Sequence, residues 1–248
     1  MKQNNPIIGA IIQTRMTSTR LPGKVLENIA GKAMVWHVIN RLSFSKKIDD
    51  IILAIPTTKE SNVLEDFARD HNLKCFRGSE EDVLLRFYGA AKEFGCDVIV
   101  RVTSDCPLID PEIVDLIIEK YQKVDYASNT LERSFPRGLD AEVFSFSVLE
   151  KAHKEAKEYY QREHVTPYIY EHPEIFKLYS VKAEGKLKRP DLRLTVDTKE
   201  DLELVREIYK HLYNPQKIFL TKEVIDLFER NPELSEINNN IKQKSLKE

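Results

Sequence analysis

The chain has 248 residues, 42% hydrophobic and 31% charged, which suits one large core, and no apolar stretch in it reaches the length of a membrane span. A formal net charge of −2 excludes a global basic field for nucleic acid or an anionic membrane, so any anion site must be local. Three cysteines, with no Cys-x-x-Cys, argue against a disulfide framework or a thiolate zinc site and fit a reducing cytoplasm.

In chain order, apolar β-branched runs alternate with segments of helical period, which predicts an α/β fold with a mostly parallel sheet. The N-terminal MKQNNPIIGAII has an apolar run too short for a leader, and residues 7–13 read as the first strand. A helix is predicted at 33–43, with Val35, Trp36, Val38, Ile39 and Leu42 near one core-facing side. A strand at 51–55 stops at Pro56, 61–70 reads as helical, 73–76 as a strand, and 80–94 as a helix behind Ser79 as its cap. The next strand is 97–103, and Asp110-Pro111 then opens a helix, with Asp as cap and Pro in the first turn.

The pattern changes after about residue 124. Short strand-like pieces (DYASN, AEVFSF, KLYSV) mix with helical stretches near 147–158 and 162–171. LRLTVD at 192–197 is predicted to be another strand, with Thr198 and Asp201 forming a capping box behind it. An amphipathic helix at 222–230 precedes Asn231-Pro232, and the polar tail from about 235 is expected to fray. The expected organisation is a single domain over 1–234. It comprises a nucleotide-binding half at 1–124, an acceptor-binding and metal-completing half at 125–213, and a helical appendage at 214–234; the polar tail at 235–248 follows.

The segment QTRMTSTRLPGK follows the first strand as an unusually long, basic connection. In it Pro22 fixes φ and Gly23 permits positive φ, so a type II turn would aim Lys24. Arg15 and Arg20 add planar forks suited to phosphate oxygens, and Thr17, Ser18 and Thr19 leave backbone N–H groups open to an anion. Three cations at a strand's carboxyl end favour phosphate binding over a merely solvated loop. Neither G-x-x-x-x-G-K-[ST] nor G-x-G-x-x-G occurs.

A triphosphate bound by side chains alone is under-neutralised, and Mg²⁺ held by one or two carboxylates is the usual supplement. Asp105 follows VIVRVT and Asp197 ends LRLTVD, so both are predicted metal ligands on the same rim. Each alone reads equally well as a turn or cap residue. Cys106, followed by Pro107, has no identifiable base and reads as structural.

The combination of QTRMTSTRLPGKVL, Gly31-Lys32, SDCPLI and TVDTKEDL resembles the cytidylyltransferases that activate acidic sugars. GSEEDVLLRF, FPRGLDAEVFS, REHVTPYIY and NPELSEIN resemble the branch of the spore coat polysaccharide biosynthesis protein F, a relative of the 3-deoxy-manno-octulosonate and acylneuraminate enzymes. The resemblance covers nearly the whole chain. It implies a Rossmann-like three-layer sandwich of the nucleotide-diphospho-sugar transferase (glycosyltransferase-A-like) type, with CTP as donor and Mg²⁺ as cofactor. The partners it implies are CTP and a sugar or sugar-acid acceptor, with no nucleic acid and no membrane, in a cytoplasmic homodimer. By position Arg15, Arg20 and Lys24 take the triphosphate, with Arg15 and Lys24 on its β/γ-phosphates, and Asp105 and Asp197 take the metal. Cys106 stands where the octulosonate enzymes carry an acidic residue, and their stretch for the sugar acid has no counterpart here.

Gly9, Ala10, Thr57, Arg77 and Ser79 are the candidates for reading the pyrimidine edge, with a turn hydroxyl and a helix cap as the plainer readings of Thr57 and Ser79. In the second half Arg137, Asp140, Glu142 and His164 are the acceptor candidates, against the plainer readings of an edge-strand salt bridge and a satisfied core-edge histidine. The basic run Lys186, Lys188 and Arg189 reads as solvated or as cover for an anion. Two other functions compete: a glycosyltransferase using a preformed nucleotide-sugar, and a non-catalytic nucleotide-binding protein.

Overall fold

The computed structural model describes residues 5–244. The buried stretch Ile8–Gln13 forms β1, at the centre of a parallel group with β4 (Asp50–Pro56), β5 (Lys74–Gly78) and β6 (Val98–Thr103). Between β1 and β4 come a two-stranded hairpin, β2 (Asn28–Ile29) with β3 (Lys32–Ala33), and α1 (Met34–Leu42). Helices α2 (Asn62–Asp70) and α3 (Val83–Glu93) flank β5, and α4 (Pro111–Tyr121) follows β6. The second half adds β7 (Tyr126–Ser128), β8 (Glu142–Ser145), α5 (Phe146–Glu155), α6 (Tyr159–His164), α7 (Pro167–Tyr170) and β9 (Leu178–Ser180). Helices α8 (Lys199–Leu212) and α9 (Thr221–Arg230) close the chain. The main sheet runs β5-β4-β1-β6-β8-β7-β9, with β8 antiparallel to both its neighbours.

Side-chain alternation along the strands builds two cores, one on each sheet face. Ala10, Ile12, Leu53 and Val100 pack with α1, α4, α8 and α9, while Ile11, Ile52, Ala54 and Ile99 pack with α3 and α5. This is the expected three-layer α/β sandwich. Among the described residues no helix is long and apolar enough to cross a membrane.

Several local expectations are corrected. Helix α3 starts at Val83 and is capped by Asp82, whose carboxylate accepts from Leu85 N; Ser79 Oγ accepts from Asp82 N, one turn earlier. Trp36 is half-buried beneath the Lys32 ammonium, and Met34 takes the core position instead. LRLTVD is extended but is not a sheet strand, because its backbone changes partner along its length. Arg137 N donates to Leu192 O (2.9 Å), Leu194 N donates to Arg137 O (2.7 Å), and Val196 N donates to Asp105 O (2.8 Å). The 214–234 segment is no appendage: Phe219, Val224, Ile225, Leu227 and Phe228 belong to the larger core. Asp110 ties it down by accepting from Glu112 N in α4 and, through its other oxygen, from Thr221 N in α9.

The tail is docked at Asn238, while most of the described residues after it are exposed. Asn238 is buried, and its amide donates to Arg193 O (3.0 Å) and Asp201 Oδ1 (2.8 Å). The rest of the predicted tail, 245–248, lies outside the described residues.

Candidate active site

Three segments far apart in sequence meet at one ammonium group. Gly23 lies in the left-handed region (φ 72°), as the turn requires, and leads into a 3-10 turn at Lys24–Leu26. This drives the Lys24 side chain inward. Its Nζ donates to Asp105 Oδ2 (3.0 Å), Asp197 Oδ1 (2.8 Å) and Val196 O (2.6 Å). Asp105 follows β6, and its carbonyl accepts from Val196 N (2.8 Å) and Thr195 Oγ1 (3.1 Å), so the two aspartate-bearing segments are laced together. Thr198 and Asp201 form the predicted capping box at the start of α8, and Asp201 also accepts from the Asp197 backbone N–H at 3.0 Å.

Asp197 is ringed by cations. Its Oδ2 lies 2.9 Å from Arg20 and accepts from Arg193 at 2.8 Å. Arg193 is in turn braced by the fully buried Asp201, 2.9 Å from its Nε. Burial alone would raise the Asp197 carboxyl, but Lys24, Arg20 and Arg193 outweigh it and hold it below its ordinary range. Burial likewise works to lower Lys24, and Asp105 with Asp197 overcomes it, so the ammonium is held above its ordinary value.

The oxygens around Lys24 fit a hard divalent ion. Two carboxylates and a backbone carbonyl converge on one cationic centre, and the donor set is oxygen only. No group of three or more His, Cys, Asp or Glu stands ready to hold a metal among the described residues. Two carboxylates without a protein cage are what an ion shared with substrate phosphates requires.

A cavity of about 530 Å³ opens beside Thr103, whose hydroxyl donates to Asp105, and is lined in part by Arg101, Arg133, Arg137, Asp140, Glu142 and His164. Arg133 holds Asp140 through two bonds, at 2.8 and 2.9 Å. Glu142 is buried and accepts from Arg101, Tyr126 Oη (2.5 Å) and Thr166 Oγ1 (2.7 Å). Both carboxylates are therefore committed. Arg137 is half-buried and has no carboxylate within ion-pair distance among the described residues. Its burial, and then Arg133, lower its pKa.

The sequence matches the family model for cytidylyltransferases over residues 9–227. The chain belongs to the cytidylyltransferase family. An uncharacterised protein of Methanocaldococcus jannaschii is 45% identical over 246 residues, 98% of each chain. The spore coat polysaccharide biosynthesis protein SpsF of Bacillus subtilis is 34% identical over 230 residues, 90% of this chain and 94% of its own. The solved cytidylyltransferase of Leptospira borgpetersenii superposes with a TM-score of 0.87 at 33% identity, covering 97% of this chain and 100% of that one. The family resemblance and the sandwich expected from it are thus borne out, and the protein is a nucleotidyltransferase.

In this cytidylyltransferase the structure brings together Arg20, Lys24, Asp105 and Asp197 as expected, but it places Lys24 against the carboxylates rather than open to phosphate. Arg15 stays on the rim, exposed, 3.9 Å from Glu163. Gly9 and Ala10 are not at the rim. They sit in the first half of β1, Ala10 in the core and Gly9 against Cys96, where a Cβ would come within 2.3 Å of Sγ. Strand ends, not starts, face the site, which is why the assignment fails. Thr57 is exposed beyond β4, and its N–H donates to Gly78 O at 2.9 Å. Arg77 is spent on Glu65 (2.5 Å), Asn62 (2.9 Å) and Thr58 O (3.0 Å), so it braces the first turn of α2 and the loop before it instead of reading a base. Ser79 serves the turn before α3.

For Asp140 and Glu142 the salt-bridge reading holds; His164 lines the cavity. Lys186 pairs with Asp226 and Glu229, and Arg189 with Asp191. Cys106 is buried, and burial followed by Asp105 pushes its thiol well up. The residues missed were Arg193, Arg101 and Arg133. A signal existed for two of them: Arg193 shares its face of LRLTVD with Thr195 and Asp197, and Arg101 shares its face of VIVRVT with Thr103.

Proposed function

We propose that this cytidylyltransferase transfers the cytidylyl group of CTP to a hydroxyl of a sugar acid or similar anionic acceptor, for surface polysaccharide or glycoconjugate synthesis in the cytoplasm. The acceptor oxygen attacks the α-phosphorus in line, the bond to the bridging oxygen of the β-phosphate breaks, pyrophosphate leaves, and the hydroxyl proton is lost to solvent. The single observation that carries this reading is the convergence of Asp105 and Asp197, from separate segments, on one cation at the carboxyl ends of the parallel strands.

Arg15, Arg20 and Lys24 supply the positive charge along the triphosphate, and their placement on one loop aligns it without a covalent intermediate. Asp105 and Asp197 would hold Mg²⁺, which when bound supplies charge neutralisation at the phosphates. Arg137, a cation of the neighbouring cavity with no carboxylate in ion-pair distance among the described residues, receives the acceptor's anionic group. Arg101 and Arg133 hold Glu142 and Asp140 in place around it.

The glycosyltransferase alternative would call for an Asp-x-Asp metal motif, whereas Asp105 is followed by Cys106-Pro107 and Asp140-x-Glu142 is only a loose substitute.

The test is a pyrophosphate-release screen of CTP, UTP, GTP, ATP and TTP against a panel of sugar acids and sugar phosphates. Release is expected with CTP and a sugar acid; transfer from a preformed sugar nucleotide instead would overturn the reading. Asp105→Ala and Asp197→Ala are each expected to lower the rate by roughly three or more orders of magnitude in a folded protein. Near-normal turnover in either would remove its assignment.

A further inference from the structure

All four oxygens of the carboxylate pair are in use. Asp105 Oδ2 accepts from Lys24 (3.0 Å), and its Oδ1 accepts from Thr103 Oγ1 (2.5 Å). Asp197 Oδ1 accepts from Lys24 (2.8 Å), and its Oδ2 meets Arg20 (2.9 Å) and Arg193 (2.8 Å). An ammonium has three N–H donors, and the third one of Lys24 goes to Val196 O at 2.6 Å. Lys24 is only 8% exposed, so this is a packed position and not one pose of a mobile surface lysine.

We propose that Lys24, assisted by Arg20, is a resident counter-ion that bars divalent cations from the nucleotide-free enzyme, and that an incoming triphosphate opens the carboxylate pair by drawing both side chains away. The inference rests on the metal-holding role given to Asp105 and Asp197 above. Two half-buried carboxylates that converge on one ammonium repel each other unless a cation lies between them, so the free protein fills the gap with its own charge. A divalent ion on the same oxygens would face that ammonium at short range, and the two positive charges exclude one another.

What releases Lys24 must offer its donors equivalent acceptors. The triphosphate does, and it draws Arg20, which belongs to the same loop. Arg193 stays, because Asp201 fixes it from behind. Metal and nucleotide affinities are then coupled, each raising the other by the same factor.

The experiment measures Mn²⁺ uptake by electron paramagnetic resonance with no acceptor present, so nothing turns over. Lys24→Met keeps most of the stem and removes the charge. Without nucleotide, the wild type is expected to take up no more Mn²⁺ than Asp105→Asn does, while Lys24→Met binds it roughly tenfold more tightly or better. CTP is expected to raise wild-type uptake by a similar factor above the Mn²⁺–CTP background read with Asp105→Asn.

Wild-type protein that binds Mn²⁺ without nucleotide as tightly as Lys24→Met does would overturn the inference and leave the metal site standing. No uptake by either protein, with or without CTP, would overturn the inference and the metal-holding role together. If circular dichroism shows that Lys24→Met does not fold, the wild type decides alone: uptake that does not depend on CTP overturns the proposal.

Discussion

Arg137 and its neighbours show how charge is allotted residue by residue. Each carboxylate of the cavity that Arg137 lines is held by one arginine: Asp140 by Arg133, and Glu142 by Arg101. Arg137 is left over, half-buried, at the cost of partial desolvation. A charged hydrogen bond to an acceptor anion contributes about 1.5–3 kcal/mol. Arg137→Ala is therefore expected to raise the acceptor KM by roughly 10- to 100-fold and to leave the CTP KM in place. Steady-state kinetics with each substrate varied in turn checks this; equal effects on both KM values would mean that Arg137 only shapes the protein. At this scale much was legible. Asp105, Asp197 and Lys24 announced themselves by charge beside apolar strands. The pairings of Asp140 and Glu142 did not: alternation sets Arg101 on the Thr103 face, but it meets Glu142 across a strand pairing that local sequence does not encode. Arg193 was legible from alternation, since it faces the same way as Asp197.

At the scale of elements, the regular half of the sheet was readable because its strands are apolar runs with parallel neighbours, and period alone finds them. LRLTVD misled for a physical reason: alternation reports an extended backbone with two different faces, and says nothing about which chain pairs with it. Here the partner is a loop. Gly138 (φ 99°) crosses so close that a Cβ would lie 2.5 Å from both Leu194 C and Thr195 N. That crossing sets the segment that ends in Asp197. Gly138→Ala adds this clash to about 1–2 kcal/mol of left-handed strain, so a loss of more than about 2 kcal/mol is expected, together with loss of pyrophosphate release. Gly31→Ala is the control, because φ is 84° there but nothing lies within 4 Å of its Cβ. It carries strain alone, about 1 kcal/mol, and is expected to keep activity. Urea unfolding of the two variants separates the terms; equal losses would show that the crossing does not constrain the Asp197 segment.

For the whole molecule, the paired strands β6 and β8 join the two halves, and a buried histidine adds a second joint. His37 of α1 stands against the Tyr209 ring of α8 at 4.4 Å and the Tyr213 ring at 5.9 Å, and its Nε2 donates to Ile29 O of the hairpin at 2.7 Å. One side chain thus links the first helix, the small hairpin and α8. Burial pushes it down from 6.5 to about 4; the Ile29 carbonyl works against that shift, while Arg41 and Lys32 add to it. The unfolded chain takes up a proton near pH 6.5 that the folded protein refuses until about pH 4. Within that window the unfolded state binds more protons, so stability falls as pH falls; above it the histidine is neutral in both states and contributes no slope. The loss accumulates to about 3 kcal/mol by pH 4, a large share of an ordinary folding free energy. The carboxylates held below their ordinary range, Asp197 among them, lose their contribution only at still lower pH. His37→Gln keeps a donor for Ile29 O and removes the titration. Unfolding free energies from urea melts at pH 7 and pH 4.5 are expected to differ by about 2–3 kcal/mol less in this variant than in the wild type. An unchanged difference would show that the acid sensitivity of the molecule arises elsewhere and that the joint is not where its halves begin to part.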